Sequence, residues 1–230
     1  MIKKIVTALS DTKHIKGNTT LTSIVSLFVF IMAYVVITYA PSPELTYHPN
    51  EPERSYHPDE GVWVAAGKHY FQKFFLERDW SYETWSDRSF GGFGIPNPVG
   101  GKYLIGLSLF LNGVVDKKSD IPGYSWEGSF DWGKVQDKKP PLEILEAARI
   151  PMKWMGILAT VLLFLMVREL TKSLVLSLFA SIFFVFQPQV IVHSQQVLMD
   201  IPVLFYSIAA LLVSTVLLKG IFQKPYGRTY

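Results

Sequence analysis

Long stretches of unbroken apolar residues divide this chain. Leu21–Ala40, Ile150–Val167, Ser173–Val192 and Ile201–Leu218 are the four runs, and the only charge inside any of them is Lys153, near the start of the second. A helix needs about 20 such residues to cross a bilayer core of roughly 30 Å. The pattern predicts an all-α polytopic membrane protein with about four transmembrane helices. It divides into a basic cytoplasmic tail (1–20), a first span (21–40), a long outer loop (41–149), three further spans (150–218) and a cytoplasmic tail (219–230). The first run is longer than the 7–15 residues of a signal-peptide core, and Ala40 is the only small residue placed for cleavage, so an uncleaved anchor is expected.

Within the outer loop the pattern changes. Trp63, Ala66, Tyr70 and Phe74, joined by Phe71 and Phe75, recur at helical spacing with Lys68, Gln72, Lys73 and Glu77 between them. This predicts an amphipathic helix over 61–78, either lying in the membrane interface or packed on protein. Tyr103–Val115 is apolar but only about 13 residues long, too short to span easily, and is expected at the outer surface. The Gly- and Pro-rich stretch 90–98 is a turn region that leads into Val99-Gly100-Gly101-Lys102 and the short apolar helix. It lacks the spacing of a nucleotide-binding loop, and no strand precedes it. Tyr47-His48-Pro49-Asn50-Glu51 is echoed by Tyr56-His57-Pro58-Asp59-Glu60, a short duplication in an extended, proline-punctuated segment. Tyr124, Trp126, Phe130 and Trp132 lie in an irregular polar insertion, where interface anchoring or packing is a commoner use of aromatics than sugar stacking.

Charge sets the expected orientation. Lys3, Lys4, Lys13 and Lys16 precede the first span, Arg168 and Lys172 lie in the short link after the second, and Lys219, Lys224 and Arg228 follow the last. With four spans all three segments share one side, which the positive-inside rule makes cytoplasmic. The overall charge of +3 adds nothing for nucleic acid, because the basic residues sit beside the spans. With no cysteine, disulfides, thiolate ligands and a cysteine nucleophile are excluded.

Two carboxylate elements then fall on the same outer face: Asp59 with Glu60 before the amphipathic helix, and Asp200 at the mouth of the last span. Singly, Asp59 and Asp200 read as helix N-caps. Together, beside cations, they suggest chemistry on something the bilayer presents. Arg149 is placed to pair with a carboxylate or to fork onto a phosphate, and otherwise to snorkel. Lys102 has the same two uses. His193 follows the third span and suits titration, a phosphate contact or metal binding. A divalent metal held by His48, His57 and His193 with the acids is the cofactor alternative, without a supporting spacing signature.

The order of these elements over about residues 20–218 resembles the amino-terminal part of polyprenyl-phosphate-dependent glycosyltransferases of the GT-C type, most closely the protein O-mannosyltransferase and aminoarabinose-transferase group. Pro58-Asp59-Glu60 stands for their acidic motif. Asn97-Pro98-Val99-Gly100-Gly101-Lys102 stands for a Pro-Pro-Leu-Gly-Lys element, with Val99 and Gly100 as departures. Arg149-Ile150-Pro151 stands for Arg-Leu-Pro, and His193-Ser194-Gln195 with Leu198-Met199-Asp200 for a His-Ser-Arg…Leu-Leu-Asp stretch, with Gln195 in place of Arg.

The resemblance implies a sugar transferase using a polyprenyl-phosphate sugar as donor, in a plasma membrane with the site outward or an endoplasmic-reticulum membrane with the site lumenal. It implies Asp59 as base, Glu60 as a reserve carboxylate, Asp200 as an orienting acid, and Lys102, Arg149 and His193 on the carrier phosphate. Family members have more spans, so a fragment, a split subunit and a degenerate paralogue remain open. The functional alternative is a non-catalytic subunit that binds lipid-linked sugar, or supports a larger transferase whose partner chain supplies further helices. A small transporter fits less well, because the spans carry few polar residues.

Overall fold

In the computed structural model of the chain, residues 19–41, 57–82, 99–114 and 140–222 are described. They are helical and include no strand. The helices are α1 (Thr19–Tyr39), α2 (Pro58–Phe71, continued by a π-helical turn Gln72–Leu76), α3 (Val99–Leu111), α4 (Leu142–Thr171), α5 (Leu174–Val185), α6 (Pro188–Gln195) and α7 (Asp200–Phe222). Three of them (α1, α4 and α7) are long and apolar enough to cross a membrane, and the bent pair α5–α6 makes a fourth if counted as one span. The expected all-helical membrane protein is therefore what the chain forms.

The third apolar run is not one straight helix. It breaks at Gln187-Pro188, and α6 leaves α5 at 60°. Proline lacks the N–H that would continue the ladder, and it disfavours helical backbone in the residue before it. Gln187 is accordingly extended, with ψ 126°. Proline is tolerated at the first position of a new helix, so Pro188 ends one helix and begins the next.

Pro151 has a different outcome. It lies inside α4, where it cannot donate to the carbonyl of Ala147 four residues back. The Ser108 hydroxyl of α3 donates to that carbonyl instead, at 2.6 Å. The defect thus becomes an inter-helix bond, and α4 runs unbroken for 30 residues, starting two turns before the apolar run that announced it.

α4 is the hub, packing on α1, α3, α5, α6 and α7. The main core joins Trp63 and Val64 of α2, Ile105 and Leu109 of α3, Ile144 to Met155 of α4, and Val197 to Ile201 at the start of α7. A second cluster of Ala33, Ile37, Ile157 and Val185 ties α1 to α4 and α5. α2 packs on protein rather than lying freely in an interface: every residue with a described side chain from Glu60 to Gly67 is buried. It crosses α3 at a glycine pair. A Cβ on Gly106 would stand 2.3 Å from the Gly67 carbonyl oxygen and 2.3 Å from Phe71 Cβ. Only glycine admits so close an approach of two backbones.

Polar groups collect at the two ends of the bundle. At one end, Glu169 of α4 accepts from Lys172 at 2.9 Å and from Lys219 of α7 at 2.7 Å. Lys219 also donates to the Glu169 carbonyl. The other end holds the C-terminus of α1, the first turns of α2 and α4, and the α6–α7 joint. Gln195 Nε2 donates to the carbonyls of Ile37 and Ala40, both at 2.9 Å. One amide thus satisfies two of the orphan acceptors that close α1.

Candidate functional site

The site is built around Glu60. Its side chain is completely buried and makes four hydrogen bonds. Oε1 accepts from Arg149 Nε at 2.7 Å and from the Val197 backbone N–H at 2.8 Å. Oε2 accepts from Arg149 Nη2 at 2.6 Å and from the His57 N–H at 3.0 Å. A carboxylate offers about four lone-pair directions, and all are occupied. Arg149 is itself only 8% exposed. Its planar fork grips the carboxylate through two parallel bonds, the geometry for which arginine is suited.

Two residues expected at the site are thus placed on each other. Glu60, the reserve carboxylate for catalysis, has no acceptor direction left for a substrate proton. Arg149, expected on the carrier phosphate, spends Nε and Nη2 on Glu60. The carboxylate pairing that its sequence context allowed is formed.

The Asp59 cap is also corrected. His57 occupies the N-cap of α2, its Nδ1 accepting from the Asp59 N–H at 3.2 Å. With Glu60 bonding back to the His57 N–H, this is a capping box in which histidine replaces the usual Ser or Thr. Asp59 is relieved of the capping task. Its side chain is 37% exposed, with Oδ2 3.8 Å from His57 Nδ1. The three-residue spacing from His57 to Glu60 is that of a capping box.

Asp200 begins α7, and its Oδ2 lies 3.4 Å from Nδ1 of His193 on α6. This pair spans the joint between the two helices. Asp200 is the most open acid of the group, with a side-chain exposure of 69%. The Glu60–Val197 bond therefore places Asp59 and Asp200 at the same end of the bundle, one residue and three residues from the ends of that bond.

Lys102 sits apart from these acids. It is fully buried on α3, with Nζ 5.7 Å from the Trp63 ring centre and 5.2 Å from that of Tyr70. The aromatic faces offset part of the lost hydration of the ammonium. Burial nonetheless lowers its pKa from the ordinary 10.5 to about 8. Gly100 and Gly101, just before it, press on Tyr206, Pro202 and Met199, seating the lysine's helix against the first turns of α7.

Sequence reasoning missed Gln195 as the brace on α1, the Val197 N–H, and the aromatic walls around Lys102. Gln195 stood where the resemblance leads one to expect Arg. Nothing in the spacing marked a backbone N–H as a partner. Among the described residues, no three His, Cys, Asp or Glu side chains come together as metal ligands. His48, one member of the metal alternative, lies outside the described residues.

Fold and site together define a helical integral membrane protein with an ionisable cluster at one end of its bundle. The family model for dolichyl-phosphate-mannose-protein mannosyltransferases matches residues 97–224, a little over half of the chain. The chain belongs to this family, which is of the GT-C type. The match takes in Lys102, Arg149, His193 and Asp200, and begins after Asp59 and Glu60. No curated protein and no solved structure matches the chain. Membership indicates a membrane mannosyltransferase, from a family whose donor is a polyprenyl-phosphate-linked sugar.

Proposed function

We propose that this chain transfers a sugar, mannose by family, from a polyprenyl-phosphate carrier to an acceptor hydroxyl, at the bundle end that carries Asp59 and Asp200. The observation that carries the proposal is that two partly open carboxylates, Asp59 and Asp200, lie at one end of the bundle, in a chain of this family. The acceptor oxygen attacks the anomeric carbon as the bond from that carbon to the phosphate oxygen breaks. The bonding pair leaves with the phosphate, and the acceptor proton passes to Asp59 as general base. One displacement inverts the anomeric centre.

Lys102 supplies positive charge to the departing phosphate, and His193 a hydrogen bond to it. An ammonium stripped of water in advance loses little hydration when the phosphate arrives. Asp200 holds His193 and helps orient the acceptor. Arg149 acts through Glu60 and not on the phosphate. The positive-inside rule favours the opposite bundle end, with Arg168, Lys172 and Lys219, as the cytoplasmic one. The reaction then faces the lumen or the exterior.

The test is turnover by the purified full chain in lipid nanodiscs with a panel of polyprenyl-phosphate sugars. Asp59→Asn should abolish transfer while leaving donor binding and folding intact. Full activity in Asp59→Asn would remove it from the mechanism. A second reading is a subunit that works with another chain. Activity of the purified chain alone would dismiss it.

A further inference from the structure

Glu60 contributes no open lone pair, yet it sits between the two segments that carry the open acids. Its Oε2 holds the His57 N–H, and His57 in turn caps the Asp59 N–H. Its Oε1 holds the Val197 N–H in the non-helical joint between α6 and α7, three residues before Asp200. Arg149 fixes the carboxylate itself to α4. Besides this bond, the joint has a turn bond from the Leu198 N–H to the Gln196 carbonyl at 3.0 Å and the His193–Asp200 pair across it. Gln196 Oε1 in the joint and Ser194 Oγ at the end of α6 are buried without a hydrogen-bond partner, and Gln195 points away, to the end of α1.

We infer that Glu60 is a positioning residue: one buried carboxylate references both the Asp59 segment and the joint carrying His193 and Asp200 to the same point on α4, and thereby sets the spacing of the two open acids. The inference rests on the proposed roles of those acids for its functional meaning, but its structural content can be tested without turnover. The idea that Glu60 serves as base predicts a different outcome. So does the idea that it merely anchors α2, which would leave the joint untouched.

The experiment is amide hydrogen exchange on the full chain in nanodiscs, combined with steady-state kinetics. In the unaltered protein the Val197 amide should exchange slowly despite lying outside any helix, since its partner is a buried carboxylate. Fast exchange there overturns the inference with no substitution needed. In Glu60→Gln, exchange across 196–200 should quicken roughly tenfold or more, as for loss of one charge-assisted hydrogen bond, while α1 and α5 keep their protection. Glu60→Asp keeps the charge but withdraws the carboxylate by one methylene. It should show the same local effect, and it stands in if Glu60→Gln fails to fold.

In either variant kcat should fall about 10–100-fold, as for acids displaced by roughly 1 Å. Donor KM should stay nearly constant, and the acid limb of the pH profile should keep its position. Unchanged exchange at 196–200, an unchanged kcat, or loss of the acid limb would each refute the positioning role. If the unaltered chain shows no turnover, the proposed function fails, and the exchange data still decide whether Glu60 holds the joint.

Discussion

Replacing Arg149 with methionine tests the Glu60–Arg149 pair most directly. The substitution keeps much of the side-chain volume and removes the guanidinium. What matters is whether the pair behaves as a surface or a buried one. Exposed pairs contribute about 0–1 kcal/mol. Here the side chains are 10% and 0% exposed, and two bonds of 2.7 and 2.6 Å join them. At an effective dielectric of about 20, two unit charges roughly 4 Å apart attract by about 4 kcal/mol. Removing one partner of a buried pair also strands the other charge, and such losses run about 3–5 kcal/mol. The Val197 and His57 N–H groups continue to solvate Glu60, so the lower half of that range is expected.

Reversible unfolding in mixed detergent micelles, titrated with a denaturing detergent, measures this loss. The double variant Arg149→Met with Glu60→Leu should recover part of it, because a buried ion pair replaced by packed apolar groups is often neutral. Recovery should be incomplete, since the double variant leaves the Val197 N–H without its acceptor. An Arg149→Met loss below about 1 kcal/mol would show that water reaches the pair and would refute the buried-knot reasoning.

Two further outcomes follow from the packing and from Lys102. Gly106→Ala should cost about 1–3 kcal/mol by the same titration, the range for overpacking, because the new Cβ meets the Gly67 backbone at 2.3 Å rather than a side chain able to move. Unchanged stability would mean that α2 and α3 are not held at this crossing. Burial has lowered the Lys102 pKa to about 8, so the lysine is cationic below that pH and loses its charge as pH rises through it. Donor KM should therefore rise above about pH 8, and Lys102→Arg should remove that rise, since arginine stays charged. A KM flat from pH 7 to pH 9 (about one unit either side of the lowered value) would take Lys102 off the phosphate. The stability contribution has the opposite sense: because the folded pKa is depressed, the unfolded chain binds more protons between about 8 and 10.5, and stability rises with pH across that window.

The membrane architecture could be read from the chain because its cause is local. About 20 consecutive apolar residues commit a segment to the bilayer whatever their neighbours do. The parity of four such segments brings the two acidic elements to one end. The break at Gln187-Pro188, inside a run read as one span, has an equally local cause, since proline's missing N–H is a property of the residue itself. The extent of the bend was not visible, because 60° depends on what α6 packs against.

Tertiary structure decided how the charges are used. Glu60 and Arg149 are 89 residues apart, and no periodicity relates them. Either residue alone could have faced solvent, a phosphate or another ion. Once the first turn of α2 is buried against α4, an unpaired charge at their contact would be prohibitively desolvated, so the two must meet. The same burial shields Lys102 behind Trp63 and Tyr70, and it frees Asp59 by giving the cap to His57. The residue types and their end of the membrane follow from local chemistry. Which carboxylate is sealed in the core and which stay open to a substrate follows only from packing, because that is where the penalty for burying charge is set.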